Sequence, residues 1–414
     1  MTNVLLLHVK QNVLPAQLLD APEIGHLTVI TEPGHLQQYG SEVDVRLVDS
    51  VRDTEQVRRA ALEVLREREI DRVLAPFELG LPVAGYLRSY FGLPGMGYET
   101  ANAFANKYVM KQRMAAAGLP TASFRIAYGL GGVAAKAEEI GWPVVVKPVI
   151  GGGSIDVVVL SDAEHLARFA RSPEAGTVRA LDVPLIVEEY VEMDGEYHCD
   201  GIVQDGEIRF VSPSLYFTPV LDRVGNLGSF CLQEDHEDRA EIVALHARAV
   251  RALGLESGVT HMEIFRTPRG LIVGEIACRP GGGGVVGAIE LQHGVDLWRA
   301  LLLTSLGLDP EIEVRRRPGI VGHYYLPVTP GSITGLNPVE EFESLPSVLR
   351  VEMTRRLGDV ISPVLNSTSS AGHVHFTLEH ERDIPARIQE ILERYVLEID
   401  GERAEIEVRM PAMT

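Results

Sequence analysis

Between Thr54 and Glu67 the apolar residues Val57, Ala61, Val64 and Leu65 recur at helical spacing, which predicts an amphipathic helix. Short apolar runs at Val4–His8, Leu27–Thr31 and Arg72–Ala75 read as strands, and Leu81–Tyr90 reads as a second helix. This βαβα rhythm predicts a small parallel sheet over residues 1 to 95, closed by Leu93-Pro-Gly-Met-Gly97. A helix over Asn102–Ala117 ends at Gly118-Leu-Pro120, a C-cap glycine followed by a proline stop. Strands follow near Ser123–Ala127 and Pro143–Pro148, with a helix near Val133–Glu139 between them. Leu185–Val191 and Tyr197–Val203 are further strands, and Asp205-Gly206 is a hairpin turn signal. In Asp238–Leu253 the residues Ile242, Leu245, Ala249, Val250 and Leu253 share one helical face. A helix falls within Gly284–Leu306. Arg315-Arg-Arg-Pro-Gly319 reads as a hinge into a strand-rich end that finishes in a helix over Ile384–Leu397. No internal repeat and no low-complexity run is present.

The alternation is most informative at Thr260–Phe265 and Leu271–Ala277, two predicted strands joined by Arg266-Thr-Pro-Arg-Gly270. A three-residue loop at Pro268–Gly270 puts Glu263 opposite Glu275, with Met262, Ile264, Ile272 and Ile276 on the other face. Cross-strand partners lie roughly 5 Å apart, where like charges repel. A cation between the two carboxylates relieves that repulsion, and hard oxygen ligands favour Mg²⁺ or Mn²⁺. The competing reading is an exposed hairpin with ordinary glutamates. Continued alternation brings Ala277 and Arg279 to the same face, and Arg279 opens the glycine run Arg-Pro-Gly-Gly-Gly-Gly284.

Composition narrows the function classes. The 414 residues suffice for two to four domains, and 45% are hydrophobic, which argues against disorder. With 58 acidic and 38 basic side chains the formal charge is −20, which argues against nucleic acid as a partner. Cys199, Cys231 and Cys278 are scattered without metal spacing, so each is expected to be a buried thiol in a reducing cytoplasm. The first residues lack the charge and apolar length of a signal peptide, and no run approaches a membrane span.

Three further segments carry candidate chemistry. In Pro143-Val-Val-Val-Lys-Pro-Val-Ile-Gly-Gly-Gly-Ser154 a β-branched strand delivers Lys147 to a glycine turn. Exposed backbone N–H groups at Gly152, Gly153 and Ser154 suit phosphate oxygens, although a plain β-turn explains the glycines as well. Lys107 precedes Tyr-Val-Met-Lys111 on a helix, where a solvated lysine is the ordinary alternative. Ile186-Val-Glu-Glu-Tyr-Val191 reads either as an adenine-holding strand or as an edge strand with solvated acids.

Taken in order, Phe91–Gly97, Asn106–Lys111, Ala117–Pro120, the Lys147 glycine segment, Glu188–Val191 and Glu275–Gly282 resemble the ATP-grasp superfamily. Within it the chain is most similar to the L-amino acid ligases, which join two amino acids into a dipeptide. The likeness covers nearly the whole chain. It implies an α/β and α+β multidomain ATP-grasp fold with a βαβ N-terminal domain and a β-rich C-terminal domain. The expected parts are an N-terminal domain at 1–95, ATP-grasp lobes at 96–185 and 186–312, and the C-terminal domain at 313–414.

By the same resemblance Lys107 and Lys147 would contact ATP phosphates, and the backbone of Glu189, Tyr190 and Val191 would hold adenine. Glu188 or Glu196 would reach adenine or ribose. Glu263 and Glu275 would bind Mg²⁺ (or Mn²⁺). Arg279 would steady the transferred phosphoryl group, bordered on the substrate side by Gly281, Gly282 and Gly283. Many ATP-grasp members carry Asn where this chain has Ala277, a departure shared with the amino acid ligase branch.

The implied reaction is ATP-dependent, ADP-forming condensation of one amino acid's carboxylate with another's amine, through an acyl-phosphate. A purine-pathway carboxylate or bicarbonate ligase, or a nucleotide-binding protein without catalysis, are the alternatives. His261 shares the metal face, either assisting proton transfer or serving as a hydrogen-bonding support. Ser212–Glu234, with Tyr216, Phe217, Asp222, Arg223 and Asn226, reads as a pocket wall, a lid or a surface loop. His373 and His375 alternate on one strand as structural or pocket-lining residues, since two histidines do not make a metal site. Amino acids are the expected partners, with a homodimer suggested by the family, and neither nucleic acid nor membrane.

Overall fold

The computed structural model describes residues 1–9, 21–221, 228–365 and 369–406. Asp222, Arg223 and Asn226 lie outside these. The first sheet is parallel, in the order Asp44–Leu47, Ile24–Thr31, Thr2–Leu7, Arg72–Leu74. Alternation along Thr2–Leu7 sends Leu5 and Leu7 to the helices Thr54–Glu67 and Leu81–Phe91. Val4 and Leu6 go to the other face, which packs on Leu302 and Leu306 of the distant helix Leu297–Leu306. Asp53 caps the Thr54 helix by accepting from the backbone N–H groups of Glu55 and Gln56.

Three antiparallel sheets follow, two that flank a cleft and a third of Val360–Ile361, Gly331–Leu336, Leu397–Ile399 and Glu402–Arg403. The smaller of the cleft's two sheets runs Phe124–Ala127, Leu185–Glu189, Val144–Pro148, Val158–Leu160, backed by the helix Val133–Ile140. The larger has eight strands, in the order Gly270–Ala277, Gly258–Thr267, Gly195–Gln204, Glu207–Tyr216, Gly228–Cys231, Ile320–Leu326, Gly372–Leu378, Val348–Met353. The strand-rich end of the chain therefore lends three strands to the sheet begun at Gly195. The sheet's apolar core includes Tyr197, Cys199, Met262, Ile264, Ile276, Phe230, Tyr324 and Phe376. Each large apolar side chain buried there contributes roughly 1.5–3 kcal/mol. Cys199, Cys231 and Cys278 are all buried and free. Among the described residues no helix is long and apolar enough to cross a membrane.

Three expectations need correction. The helix expected over Asn102–Ala117 is two helices, Tyr98–Ala105 and Lys107–Ala116. Asn106 breaks it, its side chain accepting from the N–H groups of Tyr108 and Val109, so Lys107 opens a helix instead of lying inside one. The region Gly284–Leu306 likewise holds two helices, Val285–His293 and Leu297–Leu306, separated by the left-handed Gly294. The hairpin loop between the glutamates is two residues, Pro268 and Arg269, because Thr267 pairs with Gly270.

Candidate active site

The hairpin pairs Glu263 with Glu275 although its turn is one residue shorter than expected. The register shifts between Glu263 and Ile264, so that Ile264 faces Val273 and Gly274 is the extra residue, a β-bulge. A Cβ on Gly274 would sit 2.7 Å from Phe265 Cζ, so the bulge is closed to larger residues as packed. It also changes the face of Ile272, which pairs with Phe265 and packs with Ala122 and Val191 instead of joining Met262, Ile264 and Ile276.

The cleft lies between the Phe124–Ala127 sheet and the eight-stranded sheet. Lys147 and Glu188 come from the smaller sheet, and Glu196, Glu263 and Glu275 from the larger. The turn Gly151–Ser154 covers it, with Gly153 and Ser154 in left-handed conformations. Lys107 Nζ donates to the Gly151 carbonyl at 2.6 Å and stands 3.0 Å from Glu275 Oε1, tying this turn to the acidic pair. Burial and then the charge of Glu275 push the Glu263 carboxyl above the usual range. Two facing carboxylates, whose repulsion Lys107, Lys147 and Arg279 offset only in part, are a donor set that fits a divalent cation. Glu196 Oε2 accepts from the Val220 N–H at 2.7 Å, and burial with the Glu263 charge raises its carboxyl to about 8.

Arg279 reaches the cleft from the larger sheet and is held by a residue that follows the last strand of the parallel sheet, its Nε donating to Glu78 Oε1 at 2.5 Å. Burial pulls its guanidinium down, but Glu78 outweighs this and the net direction is upward. An apolar slot of Ala122, Val145, Ile155, Val191 and Phe265 adjoins the backbone of Glu189–Val191. The Glu189 side chain turns away, pairing with Arg269 at 2.6 Å.

Glu188 is clasped by two lysines, Lys147 at 3.1 Å and Lys111 at 3.5 Å. Burial would raise its carboxyl, but the two lysines more than offset that and lower it. The carboxylate expected to reach adenine or ribose thus already has charged partners. Gly281, Gly282 and Gly283 do not line this cleft. Instead His261 and Val285 crowd Gly281, and Tyr325 crowds the left-handed Gly283. His261 is outside the cleft lining as well. Its Nδ1 lies 2.9 Å from Asp200, which also holds His198, and its Nε2 is 3.9 Å from Glu263. Burial lowers the imidazole, yet Asp200 prevails and raises it.

The sequence reading missed Glu78, Lys111 and Asp200. Glu78 follows a parallel strand's carboxyl end, the ordinary place for a ligand crevice. Lys111 lies one helical turn from Lys107 and so shares its face. Asp200 is two residues from His198 on one strand, an alternation that was visible.

Comparison with known proteins identifies the fold and the family. Residues 112–293 match the ATP-grasp domain, and residues 323–400 match the L-amino acid ligase C-terminal domain 2. An L-arginine-specific L-amino acid ligase of Bacillus subtilis is 34% identical, over 90% of this chain and 91% of its own. The chain belongs to the L-amino acid ligases of the ATP-grasp superfamily. Dapdiamide A synthase of Enterobacter agglomerans is 25% identical over 80% of each chain. The crystal structure of an L-amino acid ligase from Bacillus licheniformis has the same fold, with a TM-score of 0.78, 22% identity, and coverage of 96% of this chain and 99% of that one. This ligase is accordingly an ATP-dependent enzyme that joins amino acids.

Proposed function

We propose that the ligase activates one amino acid's carboxylate as an acyl-phosphate in this cleft and releases ADP when a second amino acid's amine displaces the phosphate. The facing pair Glu263 and Glu275, with Lys107 and Lys147 beside it, carries this reading. Glu263 and Glu275 would hold Mg²⁺ or Mn²⁺, which would supply neutralising charge for the terminal phosphate oxygens.

The chain's own groups do the rest. The slot of Ala122, Val145, Val191 and Phe265 takes the adenine ring, with backbone groups of Glu189–Val191 at its edge. The N–H groups of Gly152, Gly153 and Ser154 close over phosphates, and Lys147 offsets their charge. Arg279, fixed by Glu78, holds the phosphoryl group as it passes to the substrate carboxylate. Asp200 orients His261 against Glu263, so His261 supports the acidic pair rather than facing the nucleotide.

L-Arginine is the first amino acid to test, since a relative 34% identical over 90% of this chain is named for it. Free buried cysteines suit a reducing cytoplasm. The test is incubation with MgATP and pools of amino acids, measuring ADP, AMP, phosphate and dipeptide. Amino-acid-dependent ADP with one phosphate per dipeptide supports the acyl-phosphate route; AMP production overturns it.

A further inference from the structure

Lys111 is the buried charge for which the ligation chemistry above has no use. It is only 1% exposed and lies one helical turn from Lys107. Its ammonium is 3.5 Å from Glu188 Oε1, and neither of these two atoms has a hydrogen-bond partner. Stability alone does not favour such a group, because a buried ion pair is often replaceable by apolar side chains at no loss. Lys111 does not line the nucleotide cleft, whereas Lys147, on the other oxygen of Glu188 at 3.1 Å, does.

The charges decide what this arrangement does. Lys147 and Glu188 alone form a neutral pair, which attracts a triphosphate weakly. With Lys111 added, the three groups carry one net positive charge, and the cation among them that lines the cleft, beside Glu188, is Lys147. Lys147 is then free to turn toward phosphate oxygens without stranding a buried carboxylate, a change that is otherwise strongly destabilising.

We propose that Lys111 is a positioning residue of the nucleotide site, neutralising Glu188 from behind so that the charge of Lys147 serves the nucleotide phosphates. This rests on Lys147 being a phosphate contact, and the experiment separates the two claims. Calorimetry would compare MgATP and adenosine binding to the full-length ligase and to Lys147→Met, Lys111→Met and Lys111→Met/Glu188→Gln, with a thermal melt of each. Lys111→Met is expected to weaken MgATP about tenfold, the scale of one unbalanced charge acting over about 12 Å at an effective dielectric of about 20, and to leave adenosine unchanged. The double variant is expected to regain most of the lost affinity, because no carboxylate remains to be offset.

A lowered melting temperature in Lys111→Met with unaltered MgATP affinity means a purely structural lysine and overturns the proposal. Should Lys111→Met fail to fold, the double variant decides alone. Affinity near wild type supports the proposal, and a loss of tenfold or more overturns it. If Lys147→Met binds MgATP normally, the phosphate assignment fails first and the proposal goes with it. If Lys147→Met binds weakly while Lys111→Met does not, the proposal alone fails.

Discussion

Glu263 and Glu275 stand opposite each other across their hairpin only because Gly274 bulges out of register between them and the turn. A two-residue loop without the bulge would place Glu263 against Gly274 and turn Glu275 to the opposite face. Gly274→Ala introduces a Cβ 2.7 Å from Phe265 Cζ, so either the ring or the bulge must move. The expected outcome is a loss of about 1–3 kcal/mol in stability and at least a tenfold fall in kcat. Urea unfolding and steady-state ADP release check both. Gly274→Ala with normal kcat means that the bulge does not set the acidic pair.

Glu78 reaches Arg279 across 201 positions of sequence and presents it to the cleft. Removing its charge while keeping its shape, as in Glu78→Gln, frees the guanidinium to wander. We expect kcat to fall by roughly 10- to 100-fold, since a charged hydrogen bond that positions a phosphoryl contact is lost. The KM for ATP should change little, because the adenine slot and the lysines are untouched. A raised KM with normal kcat would place Arg279 on the ground-state nucleotide instead.

Burial holds His8, His246, His293 and His373 at about 4, below the ordinary histidine value. The unfolded chain therefore binds more protons than the folded one between pH 6.5 and pH 4. Their stabilising contribution is complete above pH 6.5 and is lost as pH falls through that window, at up to ~1.4 kcal/mol per pH unit for each histidine. Glu196, raised to about 8, gives an opposing slope that the four histidines outweigh below pH 6, so urea midpoints measured at pH 6, 5.5 and 5 should fall. His246→Gln should flatten the slope, although losing the imidazole bonded to Thr260 Oγ1 lowers stability at pH 7. A midpoint independent of pH over this range contradicts the account.

Local pattern carried much of the fold. The helix Thr54–Glu67 was legible because apolar spacing alone marked out its span. Glu263, Glu275 and Arg279 were nameable from strand alternation, Lys147 from the glycine turn after it and Lys107 only through the family resemblance, and the fold brings all five to one cleft. Asparagine favours N-caps over helix interiors, so Asn106 was a signal the apolar spacing on both sides concealed, and its capping role depends on which way the side chain turns. The strand Asp44–Leu47 escaped notice because its alternation is only four residues long and includes charged Asp44 and Arg46. Glu78 and Lys111 gain their meaning from contacts with Arg279 and Glu188, which are distant in sequence. No local periodicity reports such contacts.

The acidic pair itself is tested most directly by melting the ligase with a non-hydrolysable ATP analogue, with and without Mn²⁺, alongside Glu263→Gln and Glu275→Gln. A ligand that binds only the folded state raises its melting temperature in proportion to the logarithm of its concentration over Kd. The wild type should show an added rise with Mn²⁺ that both variants lack, and their turnover should drop by at least a hundredfold while they remain folded. Variants that keep the Mn²⁺-dependent rise and normal turnover would show that the metal is held elsewhere.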